Sequence, residues 1–257
     1  MKNPILFLAA LLPLIALAGP VPPAGRMPGE GTRAAVGTTR YSGPVVLLDV
    51  AGGPGLRLNP SSALTGALSG WLMWHSTRQP LQPEGAVEPF PSRFAFGGGL
   101  RLTHLRSSGS DRFEGRAAAE GMALEVNDPQ LTALNLAMHL RLRVLGKPER
   151  HPLSVGFNID LGGFSFGPAR TALQVPLSVP PTFNYATRPV RANVLLGNKN
   201  DRGTLNSELY LAWKATPRLA LRGGWAHVAS GYAHAGARYQ RFTNLMIVGL
   251  SYDVKGG

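Results

Sequence analysis

Six histidines, His75, His104, His139, His151, His227 and His234, are the side chains best suited to acid–base or metal chemistry near neutral pH. Their spacing shows no metal-ligand pattern, and there are no cysteines to supply a thiolate. The H-E-x-x-H and P-loop patterns are missing from the sequence. His227 and His234, on either side of Ser230, come nearest to a hydrolytic pair. They bracket what reads as a Gly231-Tyr232 turn, where histidines are expected to be solvated. The run Gly97-Gly98-Gly99 lies inside a strand pattern with no helix after it, so it is not read as a phosphate cradle. The expectation is a non-enzymatic chain with no metal and no cofactor.

A second set of polar residues recurs at alternate positions: Asn135, His139, Arg141 and Arg143, then Asn158 and Asp160, then Glu208, Tyr210 and Lys214, and finally Arg222. Facing the inside of a small barrel, such groups are expected to pair, because an unpaired buried charge is expensive. Arg141 and Arg143 with Asp160 on the neighbouring strand form one such expected cluster. If the interior is wet instead, the surplus of Arg favours anions.

These residues are positioned by segments of about ten residues in which large apolar side chains alternate with small or polar ones, the period of an extended strand. In Thr132 to Leu145 the even positions hold Leu134, Leu136, Met138, Leu140, Leu142 and Val144. A helix through the same residues would strand Leu136, Leu140 and Val144 on its far side, so strand is preferred. Leu153 to Leu161 repeats the pattern, and Phe164 and Phe166 extend its apolar row if one residue is absorbed as a bulge. Leu205 to Lys214, Leu219 to Trp225 and Phe242 to Val254 follow suit, with weaker versions at Leu64 to His75, Arg93 to Arg106, Arg112 to Val126 and Val190 to Leu196. The run VVLLDV is a strand or a plug segment. The prediction is an all-β chain of eight to ten strands, since single-chain bacterial barrels have even strand numbers. The 167–189 and 76–92 stretches are read as the longest loops, on the outward end.

A soluble barrel turns its large apolar row inward, whereas a membrane barrel turns it to lipid. The second is favoured by the Gly and Ala of the other row (Gly97, Gly99, Ala117, Ala119, Gly121, Ala123). Aromatics near segment ends also favour it, as two interfacial girdles: Trp71, Trp74, Phe94, Phe96, Phe113, Phe164, Phe166, Trp225, Phe242 and Tyr252.

The N-terminus reads as an export signal: Lys2, the apolar run Ile5 to Leu17 broken by Pro13, and the small-x-small site Ala16-Leu17-Ala18, with cleavage after Ala18. Residues 19–42 read as a flexible lead-in to a barrel over 43–257. The net charge of +12 could suit nucleic acid, but export makes outer-membrane lipids and lipopolysaccharide the expected counter-charges.

The last strand, Gly249-Leu250-Ser251-Tyr252-Asp253-Val254, resembles the terminal signature of bacterial outer-membrane β-barrel proteins. In that class a Gly is followed at fixed spacing by an aromatic or apolar residue and then another two positions on. The resemblance implies a single antiparallel up-and-down transmembrane β-barrel, and implies that Gly249, Tyr252 and Val254 are read by the barrel-assembly machinery. The function expected is a structural or surface-interaction protein or a narrow porin-like pore; a secreted soluble carrier of a small apolar ligand and an outer-membrane lipid-modifying enzyme are the alternatives.

Overall fold

The computed structural model describes residues 45–54, 63–75, 93–116, 121–145, 152–176, 184–196 and 203–254, all within one compact unit. The predicted signal and lead-in, His151, Ala117 and Ala119 lie outside the described residues. Among the described residues thirteen strands form one antiparallel sheet: β1 (Val45–Pro54), β2 (Ala63–His75), β3 (Phe94–Ser107), β4 (Ser110–Arg116), β5 (Met122–Asn127), β6 (Gln130–Leu145) and β7 (Leu153–Phe166). They continue with β8 (Arg170–Pro176), β9 (Asn184–Pro189), β10 (Ala192–Val194), β11 (Leu205–Lys214), β12 (Leu219–His234) and β13 (Ala237–Asp253).

The pairings close two rings. The first runs β1-β2-β3-β6-β7-β11-β12-β13 and returns to β1 through pairs such as Asp49 with Ser251. The second runs β13-β4-β5-β8-β9 and closes on β12, where Tyr232 meets Pro189. β4 and β5 prolong the β3–β6 pair beyond Ser107 and Gln130, and the long β12–β13 hairpin serves both rings. Closure leaves neither ring with an open edge. The first ring encloses a lower chamber, at the end where β1 begins and β13 finishes, and the second an upper chamber.

In the lower ring the apolar rows point outward. Every one of its strands contributes exposed large apolar side chains, among them Leu48, Leu72, Leu100, Leu136, Phe164, Leu211, Leu221 and Leu250. On β13 the exposed row runs from Phe242 to Val254. At about 3.3 Å per residue and a tilt of about 40° that row covers roughly 30 Å of height, the thickness of a bilayer core. A continuous belt of this kind far exceeds the apolar patches of water-soluble monomers and is the exterior of a membrane barrel. Leu140 and Ile159 are members of the outward rows that are covered. Among the described residues, β4, β5, β8 and β9 carry no exposed large apolar side chain.

The bulge predicted in β7 is present. Leu136 pairs with Gly162 and Ala137 with Asp160, leaving Leu161 as the extra residue. This reverses the strand's alternation, so that Asp160 faces in while Phe164 and Phe166 face out.

Several expectations need correction. Arg112 to Val126 is two strands, because Gly121 takes a left-handed conformation (φ 83°) that a continuous strand does not allow. The 167–189 stretch contains β8 and β9 rather than one long loop; Pro176 is the last residue of β8 and Pro189 the last of β9, positions where a missing N–H is tolerated. The 76–92 stretch lies outside the described residues; the strands that flank it, β2 and β3, finish and begin at the end shared with the start of β1. Trp71 and Phe113 are not girdle residues: Trp71 faces the lower chamber and Phe113 the upper one, both fully buried.

Candidate functional site

The lower chamber brings together seven of the ten predicted polar residues: Asn135, His139, Asn158, Asp160, Glu208, Tyr210 and Arg222 are all buried. Alternation puts them on the inner face, and two further residues organise them. Arg101, on β3 between the outward Leu100 and Leu102, reaches Asp160 at 3.2 Å and Glu208 at 3.5 Å. Asp49, on β1, is 2.9 Å from the Arg222 guanidinium, which also lies 3.4 Å from Glu208. Both guanidiniums thus meet at Glu208.

Neutral N–H groups add to these ion pairs. The side-chain amides of Asn158 and Asn206 donate to Glu208 at 3.0 and 3.2 Å. Asp160 accepts from the Asn135 side chain at 2.7 Å and from the Asn206 backbone at 2.9 Å. Asp49 accepts from the Trp71 indole at 2.8 Å. Asn193, held inward by β10, donates to Asn135 at 2.8 Å and accepts from Ser165 and from the Thr204 backbone. Each of the three carboxylates is thus within ion-pair distance of a guanidinium, which is what makes their burial tolerable.

Tyr210 shows how local sequence makes room. Its cross-strand neighbours are glycines on both sides, Gly156 of β7 and Gly224 of β12. A methyl group at Gly156 would lie inside the Tyr210 ring. The ring therefore lies along the wall, with its hydroxyl 2.7 Å from His139 Nε2 and the Arg222 guanidinium 4.9 Å from its centre. Trp71 packs edge-on against His139 at 5.0 Å, and Leu47, Met73 and Ala95 complete an apolar floor beside it.

Arg141, Arg143 and Lys214 are only half-buried, toward the lower ends of β6 and β11. The predicted cluster of Arg141 and Arg143 with Asp160 does not form. Asp160 lies opposite Ala137 and Arg141 opposite Gly156, so the two are four residues apart in register. Sequence reasoning missed Arg101 and Asp49, although both sit at inward positions of an alternating run, which was the available signal.

The histidine pair also dissolves. Residues 230–232 are strand, and the turn is at Ala235-Gly236. His227 faces outward, stacked on Phe242 at 5.4 Å and bonded to Asn244, while Ser230 is buried inside. They lie on opposite faces of one strand. His104 is exposed and bonds Thr132, and His234 packs on Tyr185 at the upper end. Among the described residues no cluster of His, Cys, Asp and Glu could hold a metal ion.

On the terminal strand, Tyr252 and Val254 point outward. Gly249 sits against the backbone of Val50 and Ala51, where a Cβ would collide with it.

The upper chamber is filled by Leu105, Phe113, Leu124, Val126, Leu131, Ala172, Tyr232 and Tyr239. Phe113 and Tyr232 meet edge-on at 5.0 Å, and the Tyr232 hydroxyl donates to the Gln130 carbonyl at 3.1 Å. An ion pair between Arg241 and Asp111 is buried beside them, with Arg241 over the Phe113 ring.

No protein-family model matches the sequence, and no curated protein matches it. Among solved structures, Neisserial surface protein A is similar over 82% of this chain and 97% of its own, at 10% identity and a TM-score of 0.37. A likeness that distant carries no functional weight, and the closed antiparallel barrel with its outward apolar belt rests on the chain's own pairings and exposure.

Proposed function

We propose that the chain is an integral barrel of the bacterial outer membrane, exported through a signal cleaved after Ala18. On this reading its lumen is closed, and it serves at the surface as a structural or interaction protein. The observation that carries the reading is the ionic network: through Glu208 it ties β3 to β11 and β12, and through Arg222 it ties β12 to β1. These strands lie on different sides of the lower ring, so the network crosses the lumen. The apolar filling of the upper chamber supports closure at the other end. The outward direction of Leu134 and Leu136 weighs against a soluble carrier, and the separation of His227 from Ser230 weighs against a hydrolase.

Reconstitution into planar bilayers tests closure: the expected result is no stepwise conductance, and discrete channel openings would overturn it. Fractionation tests the location. The protein should sediment with outer membranes and show a heat-modifiable band, whereas recovery from the soluble periplasm without detergent would overturn the membrane reading. Gly249, Tyr252 and Val254 are proposed as the residues that the assembly machinery reads, for which Tyr252→Ser should lower the folded yield in cells.

A further inference from the structure

At the upper limit of the apolar belt an open groove of about 490 Å³ is lined by Phe164, Phe166, Pro189, Arg188 and Arg191. The two phenylalanines are 69% and 56% exposed, and they face out because of the bulge at Leu161. They continue the belt: Phe164 lies opposite Leu134, itself an exposed member. Arg188 and Arg191 are exposed beside them, and among the described residues neither side chain has an ion-pair or hydrogen-bond partner. The nearest carboxylate along β7, Asp160, faces the lumen and is held by Arg101. An apolar trough therefore ends in two uncompensated guanidiniums at the height where lipid tails give way to head groups.

We infer that this groove binds a phosphorylated lipid of the outer leaflet, with an acyl chain along Phe164 and Phe166 and a phosphate between Arg188 and Arg191. The inference rests on the outer-membrane reading. Guanidinium suits the role because its planar fork takes two phosphate oxygens at once. Aromatic rings suit the boundary between chain and head group. Both features are needed, since the apolar floor alone would accept any lipid and the cations alone any anion.

Folded protein in detergent micelles can be titrated with bisphosphorylated lipid A and with the same lipid stripped of phosphate, reading retained lipid by native mass spectrometry. The phosphorylated form should be retained about ten-fold more tightly. R188Q/R191Q should abolish that preference, while R106Q/R112Q, which removes two exposed cations outside the groove, should keep it. Equal retention of the two lipids, or an unchanged preference in R188Q/R191Q, overturns the proposal. Displacement of the lipid by inorganic phosphate alone assigns a plain anion site and overturns it too. Should R188Q/R191Q fail to fold, the salt dependence of wild-type retention decides: retention falling with salt supports the proposal, and flat retention overturns it. Fractionation with the soluble periplasm would instead defeat the outer-membrane reading, a result independent of the micelle titration.

Discussion

The two chambers of this barrel are built from the same alternating strands with opposite polarity. In the lower ring the inner face carries Asp49, Arg101, Asp160, Glu208 and Arg222, and the outer face Leu, Val and Trp. In the upper ring Leu105, Phe113, Leu124 and Val126 fill the inside, and Arg106, Arg112, Glu114 and Arg188 face out. Alternation fixes that two faces differ; the surrounding solvent decides which of them points outward. In lipid an apolar exterior costs nothing and the polar groups must satisfy one another inside. In water the apolar groups go inside, where burying each large one contributes about 1.5–3 kcal/mol. The β12–β13 hairpin passes through both regimes: Trp225 and Met246 are exposed outside the lower ring, whereas Tyr232 and Tyr239 are buried within the upper.

The contrast can be broken most strongly at Glu208. Glu208→Leu removes the acceptor shared by Arg101 and Arg222 and should destabilise the barrel by about 3–5 kcal/mol, read as a lower urea midpoint for the heat-modifiable band. A neutral result would show that the network is not holding the lumen together. Phe113→Ala should cost about 3 kcal/mol by leaving a cavity, but in the upper chamber alone. Limited proteolysis should then cut β4, β5, β8 or β9 while the lower ring stays folded; loss of both together would make the chambers one cooperative unit. On the outer surfaces, Leu136→Arg should cost about 2 kcal/mol because that side chain faces hydrocarbon. The reverse exchange in the upper ring, Arg112→Leu, should change the midpoint by no more than about 0.5 kcal/mol. Comparable effects at these two positions would mean that the boundary of the membrane lies elsewhere.

The lower ring was the legible part of the sequence. Its rows are long, so Leu134 to Val144 could be told from a helix, and the bulge at Leu161 was implied by the displaced Phe164 and Phe166. The upper ring was not. Its four added strands, β4, β5, β8 and β9, run six or seven residues each, too short for periodicity, and they were merged into one segment or hidden among prolines. The lumen was half legible, because alternation gives the face of a residue but not its height. Asp160 and Arg141 share a face yet differ by four residues in register, and register depends on where β7 bulges and how its neighbours align. Arg101 was overlooked for the same reason, since nothing in its own segment says that it lies level with Glu208, three strands away around the ring.

The β12–β13 hairpin has a further consequence for the order of assembly. Leu219 to His234 pairs residue for residue with Ala237 to Tyr252 across a turn at Ala235-Gly236. These contacts are local in sequence, so little chain entropy opposes them and the hairpin can zip early. Its flanks then offer edges to β11 and β1 below and to β9 and β4 above. The β1–β13 seam joins residues some two hundred positions apart, so it is the slow step, and the β12–β13 ribbon is the one on which both chambers close.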